Sequence, residues 1–188
     1  MKRRIFLIVL LLCLLCASAA QAKTYVCEDV CRLEYPNDWY DYGPDSSGDV
    51  EGEYYNIGFF GGTGDTDLNV SVDLFYYPEY ADVRLFSADE ETVQSYADML
   101  LDIYPEAELL DVVRVSEYEI PFIVIRSVDE YGDHVTAETV ANGWNLVLDA
   151  FAYTDDSYEV SRELTDEDLA YFAEIVASFQ PVLKGDGA

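Results

Sequence analysis

Past residue 22 the hydrophobic positions first alternate, then recur at helical spacing, then alternate again. Cys31-Arg32-Leu33-Glu34-Tyr35 alternates like a strand, stops at Pro36, and is followed by Trp39 as a large anchor. Residues 41–52 hold four glycine or proline positions among several acids and read as an exposed loop. Residues 54–60 predict a strand, Gly61-Gly62-Thr63-Gly64-Asp65 a turn, and residues 68–77 a second strand. Val70, Val72, Leu74 and Tyr76 share one face of that strand, so the pair predicts a hairpin.

The spacing then changes to that of a helix. Ser87 with Glu90 three residues later forms a capping-box pattern. Val93, Tyr96, Ala97, Leu100 and Tyr104 fall on one stripe, which Pro105 ends. Period two returns over residues 108–115, 120–128, 134–141 and 144–154, predicting four consecutive strands. Asn142-Gly143 is the signal of a type I′ turn, and short links join antiparallel neighbours, so these strands make a meander. Thr165 and Asp168 cap a second helix whose stripe is Leu169, Phe172, Ala173, Val176 and Phe179, closed by Gln180-Pro181. The expected fold class is α+β: an antiparallel sheet, made of hairpins and a four-stranded meander, packed by two amphipathic helices. Val72-Asp73-Leu74-Phe75 and Leu148-Asp149-Ala150-Phe151 resemble each other, which reads as shared strand grammar rather than duplication.

The first 22 residues do not fit this domain. Lys2, Arg3 and Arg4 precede an apolar run over residues 5–17, and Ala20-Gln21-Ala22 is a small-x-small cleavage site, together a secretory signal peptide. A transmembrane helix needs roughly 20 apolar residues, so the run is short for one. Cys13 and Cys16 follow leucines instead of the small residues that precede a lipid-carrying cysteine, so a lipid anchor or an uncleaved anchor is the lesser reading. The expected organisation is a leader over 1–22, one domain over 23–182 and a flexible tail over 183–188. The protein is expected to be secreted or otherwise extracytoplasmic.

Loss of the leader changes the charge picture. The whole chain of 188 residues has 38 acidic and 10 basic side chains and a net charge of −28; without the three leader bases this becomes −31. Nucleic acid and anionic membrane surfaces both demand a basic footprint, so neither is expected as a partner. Most carboxylates lack a basic neighbour and must be solvated or held by cations. With so many acids, the nearness of two in sequence says little about catalysis.

The remaining chemistry is sparse. Cys27 and Cys31 form an even pair in an exported chain and are expected to close a tight turn as a disulfide. Zinc would need more ligands than these and His134, the single histidine, which reads as an ordinary turn-edge residue. No phosphate-binding loop, dinucleotide fingerprint or H-E-x-x-H motif is present, and no catalytic residue is assigned. No cofactor is expected, with calcium as the possible exception: Asp65 and Asp67 sit on the Gly64-Asp65-Thr66-Asp67 turn, short of the full EF-hand pattern. Adjacent strand residues face opposite ways, so the 16 tyrosines cannot all be core. Tyr40, Tyr42, Tyr55 and Tyr77 are the candidates for a contact surface.

Two motifs carry a family resemblance. The stretch Cys31-Arg32-Leu33-Glu34-Tyr35-Pro36-Asn37-Asp38-Trp39 is similar to the strand and Tyr-Pro-x-x-Trp opening of PsbP-like proteins, although Cys31 stands where that group has an aromatic. The ending Ala177-Ser178-Phe179-Gln180-Pro181 resembles the x-x-Ser-Phe close of the same group. The group includes the extrinsic photosystem II subunit PsbP and related bacterial exported proteins. The resemblance implies an α/β/α sandwich around an antiparallel sheet, an accessory or binding role, and no catalytic residues. The expected function is an exported, non-catalytic binding or accessory protein, with a protein or glycan partner. A carboxylate-pair glycan hydrolase and a calcium-binding surface protein are the alternatives.

Overall fold

The computed structural model describes residues 22–27, 31–35, 39–49, 52–62, 67–77, 85, 88–129, 132–141, 143–153 and 161–181. Their strands are β1 (Lys23–Cys27), β2 (Cys31–Tyr35), β3 (Tyr40–Asp49), β4 (Gly52–Gly62), β5 (Asp67–Tyr76), β6 (Ala107–Val115), β7 (Ile120–Asp129), β8 (Gly132–Ala141), β9 (Trp144–Tyr153), β10 (Ser161–Arg162) and β11 (Gln180–Pro181). The helices are α1 (Glu90–Ile103) and α2 (Asp166–Ala177). The fold is α+β, and every strand pairing is antiparallel.

The large sheet runs β3-β4-β5-β9-β8-β7-β6. Where β8 stops pairing with β9 at His134↔Phe151, β10 takes the next places, Ser161↔Tyr153 and Arg162↔Ala152. A smaller sheet, β1-β2-β11, brings both ends of the domain together. The Ser178 hydroxyl fastens that junction by accepting the Glu34 N–H at 2.9 Å and donating to the Ile175 carbonyl at 2.6 Å.

Strand β7 explains the layering. Residues Ile120 to Ile125 are all buried, although alternate side chains point to opposite faces. Ile120, Phe122 and Val124 join a core with α2 and the small sheet, built on Leu33, Tyr35, Trp39, Phe172, Ile175, Val176 and Phe179. Ile123 and Ile125 meet Val93, Ala97 and Leu100 of α1 on the other face. One helix therefore covers each side of the sheet.

The predicted meander strands all form, within a residue or two of the expected bounds. Three expectations need correction. Where a loop is expected over 41–52, residues 41–49 belong to β3 and Gly52 opens β4, with a register shift between Asp41 and Pro44. An edge strand tolerates proline, and a bulge absorbs the ladder position that proline cannot fill. Helix α1 is capped by Asp89, whose side chain accepts the Thr92 N–H at 2.9 Å, while Ser87 lies outside the described residues. On α2, Ala173 is exposed and Ile175 takes the buried place. The capping box of Thr165 and Asp168 forms as expected. Gly143 has φ of 84°, as the second central residue of a type I′ turn requires; Asn142 is outside the described residues.

Phe122 is fully buried and meets the Phe179 ring edge-on at 5.0 Å, joining sheet to helix end. Phe122→Ala is expected to destabilise the protein by about 3–5 kcal/mol through lost transfer energy and a residual cavity. A urea titration checks this: the midpoint falls while the slope stays unchanged.

Candidate functional site

The sheet face that α1 covers over β6 and β7 changes character toward β8, β9 and β5. Alternation places Thr136 and Glu138 of β8, Asn145, Val147 and Asp149 of β9, and Asn69, Ser71 and Asp73 of β5 on this face. Register sets Asp149 between Thr136 and Ser71, and Val147 between Glu138 and Asp73. Three carboxylates from three neighbouring strands thus surround one valine. On the opposite face of the same strands Val70, Val72, Leu74, Leu146, Leu148 and Ala150 belong to the apolar core, with buried Thr139 beside Leu146.

Glu138 is the most enclosed acid of the group, at 5% exposure. Its Oε1 accepts the Tyr96 hydroxyl of α1 and the Asn145 Nδ2 of β9, the latter at 3.1 Å. Burial pushes its carboxyl above the ordinary range, and these two hydrogen bonds only partly offset that. Asp149 is raised too, first by burial and further by the charges of Asp73 and Asp129. The Thr136 hydroxyl, donating to Asp149 Oδ1 at 2.8 Å, and the nearby His134 act the other way. Burial and the Glu138 charge lift the Tyr96 phenol, and burial with the charges of Glu138 and Asp149 lifts Tyr104.

Two other acids are buried under opposite conditions. Burial works against ionised Asp133, but the Arg126 fork at 2.8 and 2.6 Å and the Leu164 N–H at 2.7 Å hold its carboxyl low. Burial also opposes ionised Asp168; Arg162, at 2.6 and 2.9 Å, and Thr165 overcome it and bring the carboxyl down to about 2. These pairs tie β7, β8 and β10 to the start of α2. They are clamps. Glu138 and Asp149 have no arginine or lysine partner among the described residues.

The residues singled out from sequence lie elsewhere. Asp65 is outside the described residues, and Asp67 opens β5 opposite Gly62 and Tyr153. Among the described residues no group of three or more acids, histidines or cysteines is placed to hold a metal ion. Tyr40 pairs with Phe60 at one end of the β3–β4 ladder, and Tyr42 falls in the register shift. Tyr55 is in register with Leu74, while Tyr77 is exposed just past β5, its N–H donating to the Gly143 carbonyl at 2.8 Å. The backbone thus spreads the four tyrosines along the full length of the hairpin. Cys27 stands directly opposite buried Cys31. His134 is half-buried, its Nδ1 4.0 Å from Asp129 Oδ1. Sequence reasoning passed over Glu138, Asp149 and Tyr96. For Asp149 the available signal was a lone acid in the largely apolar run of β9; Glu138 carried none, since β8 holds a second acid, Asp133, and several other polar residues.

No protein-family model matches the sequence, and no curated protein matches it. A crystal structure from Bacteroides thetaiotaomicron VPI-5482 is similar at 15% identity and a TM-score of 0.49. The match covers 88% of this chain and 50% of that one, so the chain spans about half the length of the protein it resembles. A likeness of this degree carries no argument about function.

The buried acids give opposite pH dependences. Glu138 is raised from 4.5, so its penalty on folding is absent below that value, grows as pH climbs past it, and is full above the folded value. Asp168 is lowered from 3.8 to about 2, so its contribution is full above 3.8 and is lost as pH falls through about 2. Urea unfolding at several pH values should find Glu138→Gln more stable than the parent at pH 7, with the gain gone near pH 4. Asp168→Asn should lose roughly 2 kcal/mol at pH 7, since each tenfold change in proton affinity on folding is worth about 1.4 kcal/mol, and the gap should close toward pH 2.

Proposed function

We propose that this chain is an exported, non-catalytic binding or accessory protein whose ligand meets the polar face around Glu138 and Asp149. One observation carries the reading: two carboxyls are buried in the middle of a sheet without a basic partner among the described residues. Packing gains nothing from them, since apolar residues at such positions are more stabilising. Groups retained against stability are the ones to suspect of function. The leader pattern supports export, and the strong negative charge favours neutral or cationic ligands over anionic ones.

We read the frame as a PsbP-like α/β/α sandwich. Support comes from the two motif regions: Leu33, Tyr35 and Trp39 share a core with Phe179, and Gln180 and Pro181 pair with Arg32 and Cys31. The export reading also brings a Cys27–Cys31 cross-link, supported by their facing register at a spacing that disulfides accept.

A carboxylate-pair glycan hydrolase is the second reading. It is favoured by the raised carboxyls of Glu138 and Asp149 on adjacent strands of one face. The two readings part on turnover. Wild type, Glu138→Gln and Asp149→Asn proteins should be compared in thermal-shift screens of glycans, amines and peptides, and in hydrolysis assays of the same glycans. Binding requires a ligand that raises Tm in the wild type and not in the variants, without turnover. Turnover abolished by either substitution would replace binding with hydrolysis. Expression with the leader in a bacterial host should yield a mature chain starting at Lys23, lighter than its reduced form by two hydrogens.

A further inference from the structure

Helix α1 carries an apolar strip that its own packing leaves open. Val93, Ala97 and Leu100 meet Ile123 and Ile125 in the core. Successive helix residues turn by about 100°, which puts Met99 and Ile103 on the flank beside that buried stripe, in line with Tyr96. Tyr96 identifies the flank as the one toward β8, since its hydroxyl donates to Glu138. Met99 is 44% exposed and Ile103 58%, and Tyr104 at the helix end is 45% exposed. The other large exposed apolar side chains among the described residues, Tyr77, Leu110, Tyr118 and Val128, stand singly on separate strands and turns, which is ordinary for a protein surface. Three within six residues of one element make a patch. A contiguous apolar patch rimmed by polar groups is the mark of an interaction surface.

The rim of this patch has one sign of charge. Asp98 and Asp102 are exposed along its outer side, and Glu106 and Glu108 are exposed just past the helix end. On the sheet side, Tyr104 feels the charges of Glu138 and Asp149. The helix holds four acids and no base, so its negative C-terminal end has no basic side chain of its own to answer it. Arg114 is tied to Glu90 at the opposite end of the helix. We propose that this strip docks a basic amphipathic helix of a partner protein, with apolar side chains laid along Met99, Ile103 and Tyr104 and lysines or arginines facing Asp98 and Asp102. The proposal goes beyond the polar-face reading and does not depend on it. Charge complementarity selects the occupant. A second copy of this chain would bring the same acids against these, and an anionic membrane surface would be repelled. A basic chain without an apolar stripe would leave Met99 and Ile103 in water. A helix suits the geometry, because an i, i+4 strip runs along a helix axis and accepts the side-chain ridges of a second helix. The unbranched Met99 side chain adapts to the shape of what lies on it.

Fluorescence anisotropy with the mature protein at pH 7 and physiological salt tests this. The probe is a labelled synthetic peptide of leucine and lysine with its leucines at helical spacing. Comparison peptides replace the lysines by glutamates or scramble the order of the same residues. The expected result is saturable 1:1 binding of the basic amphipathic peptide alone, weakened tenfold or more by Ile103→Glu and by Met99→Glu, and severalfold by Asp98→Asn with Asp102→Asn. Val128→Glu adds the same charge at an exposed apolar position on β7 and should leave the affinity unchanged. Ile103→Gln, which adds no charge, should weaken binding as well. Urea melts confirm that each variant is folded. The sign of the Ile103→Glu effect is decisive, because diffuse attraction of a basic peptide would be strengthened by one more acid. Binding that is unchanged or tighter in Ile103→Glu would therefore overturn the proposal. Equal binding of the scrambled or the acidic peptide would overturn it too, and so would no binding at all. Sedimentation showing a dimer that Ile103→Glu dissociates would assign the strip to a second copy instead. None of these outcomes touches the polar-face reading, which is decided by the Glu138→Gln and Asp149→Asn ligand screens.

Discussion

A strand that is apolar on both faces dictates the layers around it. From Ile120 to Ile125, β7 buries consecutive residues, and a sheet can bury consecutive residues only if something lies on each side. Helix α2 and the small sheet supply one cover, and α1 the other. The two cores are unequal. The α2 side extends across β5, β9, β8 and β7 as one core broken by buried Thr139, whereas on the α1 side polar residues of β8, β9 and β5 mix with Phe75, Val140, Val147 and Phe151. Where α1 ends its reach, at Tyr96, the face turns polar. The boundary between cover and candidate site is therefore a single hydroxyl-to-carboxylate contact, Tyr96 to Glu138.

That contact has two aspects. It anchors a helix to the sheet beneath it, and it partly compensates a carboxylate that burial disfavours. The contrast with Asp133 and Asp168 shows how the protein treats an acid that serves structure. Each receives a bidentate arginine and a backbone N–H, enough to keep it ionised despite burial. With only seven basic residues outside the leader, an arginine is scarce, and two are committed to these clamps. Glu138 and Asp149 receive neutral donors, which satisfy some lone pairs without neutralising charge. The same burial can thus be structural or functional, and the partner decides.

Much of the fold was legible because it follows from local pattern. Alternation through β6 to β9, the stripe on α1 and the Thr165–Asp168 box all survive into three dimensions, since packing agrees with local preference there. The misses have physical reasons. Glycine and proline in residues 41–52 suggested a loop, but an edge strand with a bulge accepts both. Strands β10 and β11 are two residues each and exist only because a distant strand offers an unfilled edge, so no local signal announces them. The candidate site was hidden for a different reason. Asp149 and Glu138 are unremarkable among 38 acids until register sets them beside each other. The likeness of the Asp73 and Asp149 segments was visible, yet its meaning, neighbouring antiparallel strands with both acids on one face, depends on the β5–β9 pairing.

The overall charge takes on a different role in this light. A chain this acidic discourages anionic partners at long range, but screening over about 8–10 Å leaves little of that field for selecting among neutral and cationic ones. Selection falls to the few carboxylates removed from water, because there an unpaired acceptor is expensive and a matched donor is correspondingly effective. Under the proposed binding role, surface acids set what can approach, and the buried carboxylates Glu138 and Asp149 would set what can stay. A protein can change its surface charge freely under the first condition, whereas the second ties function to particular register positions on β5, β8 and β9. The sheet pairing thus decides which side chains stand together on this face, while α1 covers that face over β6 and β7 and α2 packs on the opposite one.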